Sequence, residues 1–324
     1  MMRLRQALML LALCASGTAH ALCSVIDTTP ASFGTISSTL VRSAVQSAST
    51  LNAGLQCTGS LLSLLATDDH FYATFTPPAG STGLVGPSGD VIGYTLYANN
   101  TTNFPINRSQ PYDFARNGII DALGLLNGTV PKSVPIYLKS LSGSNVAAGF
   151  YQETLSVYWN ISYCYGVSII NVCLGRQNLT GTTNLTVSLT VTNDCQITSP
   201  AISFGSAPVV AGFGTVNSNV NVSCTKGSNY TVGLDDGQNV SGGRRRMKSA
   251  ANNFLAYDIF KSASSVRWGK LVGARRASTE ADINPGAGTG TGSQVFNYNA
   301  KVYPDQGTPP AGTYLDSVIV DVQF

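Results

Sequence analysis

The strongest pattern along the chain is alternation of apolar and polar positions. In Ala311–Phe324 (AGTYLDSVIVDVQF), Tyr314, Val318, Val320, Val322 and Phe324 fall on one face, and Ser317, Ile319, Asp321 and Gln323 on the other. A period of two carried by β-branched and aromatic residues predicts a strand buried on one face. Residues 148–159 (AGFYQETLSVYW) begin the same way, but they are followed by a further alternating segment, Asn184–Asn193 (NLTVSLTVTN). There Leu185, Val187, Leu189 and Val191 share one face and Asn, Thr and Ser the other. No such segment follows the later copy.

That comparison extends into a repeat. Cys195-Gln196-Ile197, Phe204-Gly205 and Cys224 mirror Cys23-Ser24-Val25, Phe33-Gly34 and Cys57, while LAYDIFK (255–261) mirrors IGYTLYA (92–98). Two homologous β-domains are expected, residues 22–193 and 194–324. In the second, strands are predicted at 197–205, 216–225, 229–235, 254–261, 294–303 and 313–324. Short strands at this spacing predict an all-β chain of two immunoglobulin-like β-sandwich domains, the second lacking its last strand. An unfilled sandwich leaves unpaired backbone groups and an apolar groove, walled here by Val318, Val320, Val322 and Phe324. Burying four apolar side chains there is worth roughly 6–12 kcal/mol gross, comparable with the ~5–15 kcal/mol stability of a whole domain. The second domain is therefore expected to need a strand from another chain.

Composition narrows the setting. Residues 1–21 read as a secretory signal peptide: Arg3 and Arg5, an apolar core at Ala7–Cys14, and Ala19-His20-Ala21 as the cleavage site. The apolar run is far short of the ~20 residues of a membrane span. Without the signal, 17 basic residues face 16 acidic ones, which argues against nucleic acid as a partner. Six cysteines remain, an even number in an exported chain. The repeat selects the pairs Cys23–Cys57, Cys164–Cys173 and Cys195–Cys224. Zinc is a poor alternative, because there is no C-x₂-C pair and only His70 remains among the histidines. No cofactor is implied.

The second domain also carries Val-x-Val-x-Cys-Thr-x-Gly, Tyr-x-Val-x-Leu, Arg-x-Met, Leu-x-Tyr-x-Ile, Trp268-Gly269 and Ala-Gly-x-Tyr-x-Asp-x-Val. This set closely resembles the spore coat protein U domain of subunits of archaic (Csu-type) chaperone–usher pili. The match is strong over 195–324 and weaker over 23–163, where Trp-Gly is missing and the loops are longer. Two such domains resemble the tip adhesin of those pili. The resemblance implies export through the periplasm to the cell surface at the pilus tip. It also implies a pilus chaperone and usher as partners, and a neighbouring pilin subunit that donates a strand to domain 2. A subunit inside the fibre would itself carry roughly a dozen alternating residues to donate; here only Leu22 precedes Cys23 after the signal, so a place at the end is expected.

Strand parity puts three apolar loops of domain 1 at the end away from domain 2. They carry Leu61, Leu62, Leu64 and Leu65; then Ile119, Ile120, Leu123, Leu125 and Leu126; then Val167, Ile169, Ile170 and Val172, with Cys164–Cys173 at the base of the third. Exposed apolar patches of this size mark binding sites, and the resemblance implies contact with hydrophobic or abiotic surfaces. The bland alternative is that these residues fold back, or that GIIDALGLLNG forms a covering helix. The equivalent turn in domain 2, Thr225-Lys226-Gly227-Ser228, is polar.

Catalysis is not expected. A Ser-His-Asp set would have to use His70 with Asp68 or Asp69, and no nucleophile-elbow motif is present; a solvated turn is the simpler reading. Glycines 286–292 lack the strand–loop–helix context of a phosphate loop. Arg244-Arg245-Arg246 reads as a charged loop. Other readings are a structural spore-coat or matrix protein, and a sugar-binding lectin using Trp159 or exposed tyrosines such as Tyr163 and Tyr165.

Overall fold

Alternating segments become strands, nearly all paired antiparallel, and the longest run well past their apolar stretch. In the computed structural model, which describes residues 22–60, 68–116, 127–169 and 172–324, Gly149–Ile169 and Val172–Thr192 pair as one hairpin of two 21-residue strands. At ~3.4 Å per residue such a strand is about 70 Å long. The segment expected to be a loop above Cys164–Cys173 is therefore largely ladder: Cys164 pairs with Arg176 and Ser168 with Cys173. The ladder continues because Thr and Ser suit an exposed pleat as well as valine suits a buried one.

Two hydrophobic cores form, one from residues between Cys23 and Val191 and one from residues between Val210 and Val302. Around the first, His70–Thr76, the hairpin and Ala31–Ser37 make one sheet. Leu22–Val25, Leu55–Ser60 and Asn127–Ser133 make a second, and Ser47–Thr50, Ile136–Ser140 and Tyr94–Tyr97 belong to a third. Around the second core, Cys195–Thr198, Val216–Cys224, Gln294–Val302, Phe254–Lys261, Arg245–Ser249 and Tyr314–Leu315 form one sheet, and Arg276–Ala277, Thr231–Leu234 and Val320–Gln323 another. This is the two-domain, immunoglobulin-like all-β architecture. Disulfides Cys23–Cys57 and Cys195–Cys224 each link directly paired neighbours at the same place in the two domains, and Cys164–Cys173 crosses the long hairpin.

Several expectations are corrected. The strand expected at 197–205 is instead Cys195–Thr198, so only Ile197 and Thr198 of that range are strand, and the strand expected at 313–324 is split between the two sheets. The arginine run is not a solvated loop. Arg245–Ser249 is a strand, and the fully buried Arg245 guanidinium donates to Asp258 Oδ1 at 2.6 Å and to the carbonyls of Leu234, Asp235 and Trp268. A buried charge persists only when so fully partnered. Trp159 is completely buried and donates through Nε1 to the Ala53 carbonyl at 3.0 Å. Tyr163 is also buried, against Gln177. The lectin reading loses both of these aromatic residues.

Candidate functional site

In domain 1 the strand Val172–Thr192 lies between two walls, antiparallel to Gly149–Ile169 and parallel to Ala31–Ser37. Its inward residues Leu185, Val187, Leu189 and Val191 are all buried, opposite Leu155, Glu153, Tyr151 and Gly149. Both walls recur in domain 2. Aligning Ala148-Gly149 with Ala311-Gly312 places Tyr314, Asp316, Val318, Val320 and Val322 where Tyr151, Glu153, Leu155, Val157 and Trp159 stand. The opposite wall begins alike: Gly34 (φ +80°) and Gly205 (φ +72°) both follow a phenylalanine in the left-handed region, which glycine tolerates without strain.

Among the described residues, no strand fills the space between the walls of domain 2. Instead a cavity of about 380 Å³ opens there, lined by Ile202, Phe204, Tyr257, Tyr314, Val318 and Val320 among others. Past Tyr314 a second cavity of about 330 Å³ continues between Val210, Phe213 and Pro309. Val318, Val320 and Val322 are half-buried. Phe324 is 56 % exposed, with its ring edge-on to Tyr230.

The groove floor is not wholly apolar. Asp316 accepts from Tyr257 Oη at 2.8 Å and from the Gln238 N–H at 2.8 Å. Asp235 Oδ1 accepts from the N–H groups of Ile319 and Gly237. These two carboxylates bond to or within residues 316–319, the stretch between the pairing of Tyr314–Leu315 in one sheet and of Val320–Gln323 in the other. Domain 1 repeats the device: Tyr94 Oη donates to Glu153 at 2.5 Å, and Phe33 meets Tyr94 edge-on as Phe204 meets Tyr257. Glu153 further accepts from Ser81 and Arg108, whose guanidinium lies over the Tyr94 ring. Burial, then the neighbouring carboxylate, pushes both tyrosine hydroxyls well above their ordinary range.

At the other end of domain 1, Leu61, Leu62, Leu64, Leu65, Ile119, Ile120, Leu123, Leu125, Leu126 and Ile170 lie outside the described residues. Val167, Ile169 and Val172 belong to the strands of the hairpin end, where Ile169 pairs with Val172. Described residues that flank these segments are neighbours. Ser60 pairs with Asn127, His70 pairs with Ser162, and the Cys164 N–H donates to Asp69 Oδ1. Asp69 is therefore buried rather than solvated, and Arg176 binds both it and Asp68. His70 begins a strand, its ring stacked on Tyr72 at 4.6 Å. Among the described residues no cluster of His, Cys, Asp or Glu could hold a metal ion.

The profile of the Spore Coat Protein U domain matches residues 9–158 and 181–321. The chain belongs to that family. Among solved structures it is similar to the pre-assembly complex of the chaperone CsuC with the tip adhesion subunit CsuE, from the archaic chaperone–usher Csu pili of Acinetobacter baumannii. Identity there is 28%, with 94% of this chain and 100% of that chain covered and a TM-score of 0.61. More distant matches are CfaE of the CFA/I fimbria of enterotoxigenic Escherichia coli (12% identity, TM-score 0.30, 92% and 93% covered) and the CupB6 tip adhesin of Pseudomonas aeruginosa (11%, 0.30, 94% and 94%). No curated protein sequence matches.

In this Spore Coat Protein U pair, sequence reading missed Asp316, Asp235 and Tyr257. The signal was present: Asp316 interrupts the apolar face of Ala311–Phe324, and Glu153 interrupts the other copy at the same place. A carboxylate repeated on an inward face implies a partner in the core.

Proposed function

We propose that the chain is a two-domain pilus tip adhesin: residues 22–193 form the surface-binding domain and residues 194–324 the domain that joins the fibre. The observation that carries this reading is the open groove of domain 2, in the place that domain 1 fills with its own strand. A row of unpaired backbone groups over an apolar floor is the geometry of β-augmentation, in which an added strand supplies hydrogen bonds and alternate side chains fill pockets. The partners are a periplasmic chaperone, as in the similar Csu complex, then an usher, and then a subunit donating the strand. The protein binds and assembles rather than catalyses, and reaches the cell surface by export after removal of residues 1–21.

Domain 1 supplies a template for the donor. The strand runs antiparallel to residues 312–322, with large apolar residues opposite Tyr314, Asp316 and Val318, as Leu189, Val187 and Leu185 stand opposite their counterparts. Opposite Val322 it needs a small residue. Gly181 holds that position in domain 1, where a Cβ would stand 2.9 Å from Val25, and Ile197 takes the place of Val25 in domain 2.

The surface contact is made by the loops carrying Leu61, Leu62, Leu64, Leu65, Ile119, Ile120, Leu123, Leu125, Leu126 and Ile170 with the hairpin end at Val167, Ile169 and Val172. Hydrophobic and abiotic surfaces suit such loops.

The test of the groove joins residues 180–192 to Phe324 through a flexible linker. The completed protein should be monomeric and melt more than ~10 °C higher, since burying apolar groups worth several kcal/mol moves Tm by that much. An unchanged melt would refute the acceptor groove. For the loops, charged replacements in all three should abolish adhesion to polystyrene while fibres still form; retained adhesion would refute the surface contact.

A further inference from the structure

The two domains are joined by a very short link. Thr192 ends one strand and Cys195 begins the next, leaving Asn193 and Asp194 between them. Thr225 closes on this link. Its N–H donates to the Asp194 carbonyl at 3.0 Å, its hydroxyl accepts from the Asp194 N–H at 2.7 Å, and the same hydroxyl lies 2.7 Å from that of Ser38 in domain 1.

Two further contacts flank this one. Lys226 Nζ reaches Asp90 Oδ1 at 2.5 Å, and Lys226 forms a parallel β-bridge with Ala147. Asp90 is prepared for that role, since its Oδ2 accepts from the Ala147 N–H at 2.9 Å and from the Ser88 hydroxyl at 2.8 Å. Its carboxylate therefore has little freedom left to lose when the lysine arrives. From the other flank, Asn145 Nδ2 donates to the Thr289 carbonyl at 2.9 Å. Gly290 sits so close that a Cβ there would stand 1.8 Å from Asn145 Oδ1.

The parts that domain 2 contributes are braced against each other. Gly227 N donates to Gly288 O, Gly288 N to Ser228 O and Gly290 N to Cys224 O, at 2.7–2.9 Å. The glycine-rich run 286–292 is therefore the second half of a seat whose first half is the turn 225–228. A single tether would let one domain swivel on the other, whereas three separate contacts around a two-residue link remove that freedom.

We infer that this seat fixes domain 1 in one orientation on domain 2, so that the pair moves as a single rigid body. Nothing in this inference depends on adhesion or on strand donation. Backbone ¹⁵N relaxation of the mature chain, completed by residues 180–192 appended after Phe324 so that domain 2 is folded and monomeric, tests it. Rigid seating gives one rotational correlation time for both domains; separate times in this completed protein would overturn the inference, whatever the variants do. Lys226→Glu, which faces Asp90 with a like charge, combined with Asn145→Tyr, which wedges the opposite flank, should split that single time into two shorter ones. Chemical shifts far from the joint should hold, showing that both domains stay folded. Adding Asp90→Lys to the double variant restores the charge pair and should bring the two times closer together. A double variant that stays folded and still tumbles as one body would equally overturn the inference.

Discussion

Tyr151, Leu155 and Val157 are sealed from solvent, whereas Tyr314, Val318 and Val320, at the same positions of the repeat, are half-buried. The two strands have similar sequences and sit in similar sheets. What differs is the neighbour: Leu185, Val187 and Leu189 stand beside the first and no described strand beside the second. Burial is thus a property of the completed sheet rather than of the strand. The ends of the domains make a second contrast. In domain 2 the turn 225–228 and the loop 286–292 hold another domain, whereas in domain 1 the corresponding end is the one that faces away from it.

The largest expected effect comes from making domain 1 resemble domain 2. Replacing Leu185, Val187 and Leu189 together by Asp forfeits about 5–9 kcal/mol of apolar burial. The first domain should then lose its cooperative unfolding transition in calorimetry, and a domain that still melts normally would break the comparison. Next come the two tryptophans, each buried with its indole N–H on a carbonyl, Ala53 for Trp159 and Val232 for Trp268. Either change to Ala should cost ~3–5 kcal/mol in denaturant titrations, with each variant destabilising its own domain.

The tyrosine–carboxylate pairs sharpen the contrast. Tyr94→Phe strips one partner from a sealed Glu153 and should cost about 1–3 kcal/mol. Tyr257→Phe should cost less than ~1 kcal/mol while water reaches Asp316 through the open groove, and more once an appended strand excludes it. Equal costs in both states would contradict the open groove. The smallest effect concerns pH. Burial alone would raise the Asp90 carboxyl, but Lys226, the Ala147 N–H and Ser88 outweigh it and hold the group below its ordinary range. Its contribution is then present above the ordinary carboxylate value of ~4 and lost as pH falls through the depressed one. Contacts across the joint should therefore loosen only in strong acid, a change that ¹⁵N relaxation followed from pH 7 down into strong acid would register.

Much of the fold was legible in the sequence, because alternation, repeated cysteines and the Phe-Gly and Ala-Gly turns are local signals. Phe254–Lys261 matches the predicted strand residue for residue. Less legible was anything set by tertiary partners. Arg245 reads as surface charge until Asp258 and three carbonyls are seen around it. The split of Ala311–Phe324 falls beside Asp235, a partner distant in sequence. Polar strand ends such as Leu174–Thr183 carry no clean apolar face, so the length of the hairpin was hidden. Of the candidate groove, the apolar wall was visible from its period, while its polar anchor needed the repeat to be compared position by position.

The long hairpin also has a mechanical consequence. One continuous strand, Val172–Thr192, runs from the far end of domain 1 to the link with domain 2. Tension between those ends acts along the strand axis, across hydrogen bonds that lie perpendicular to it. Such a ladder resists by shear, with many bonds sharing the strain at once, instead of opening one bond at a time from an end like a zip.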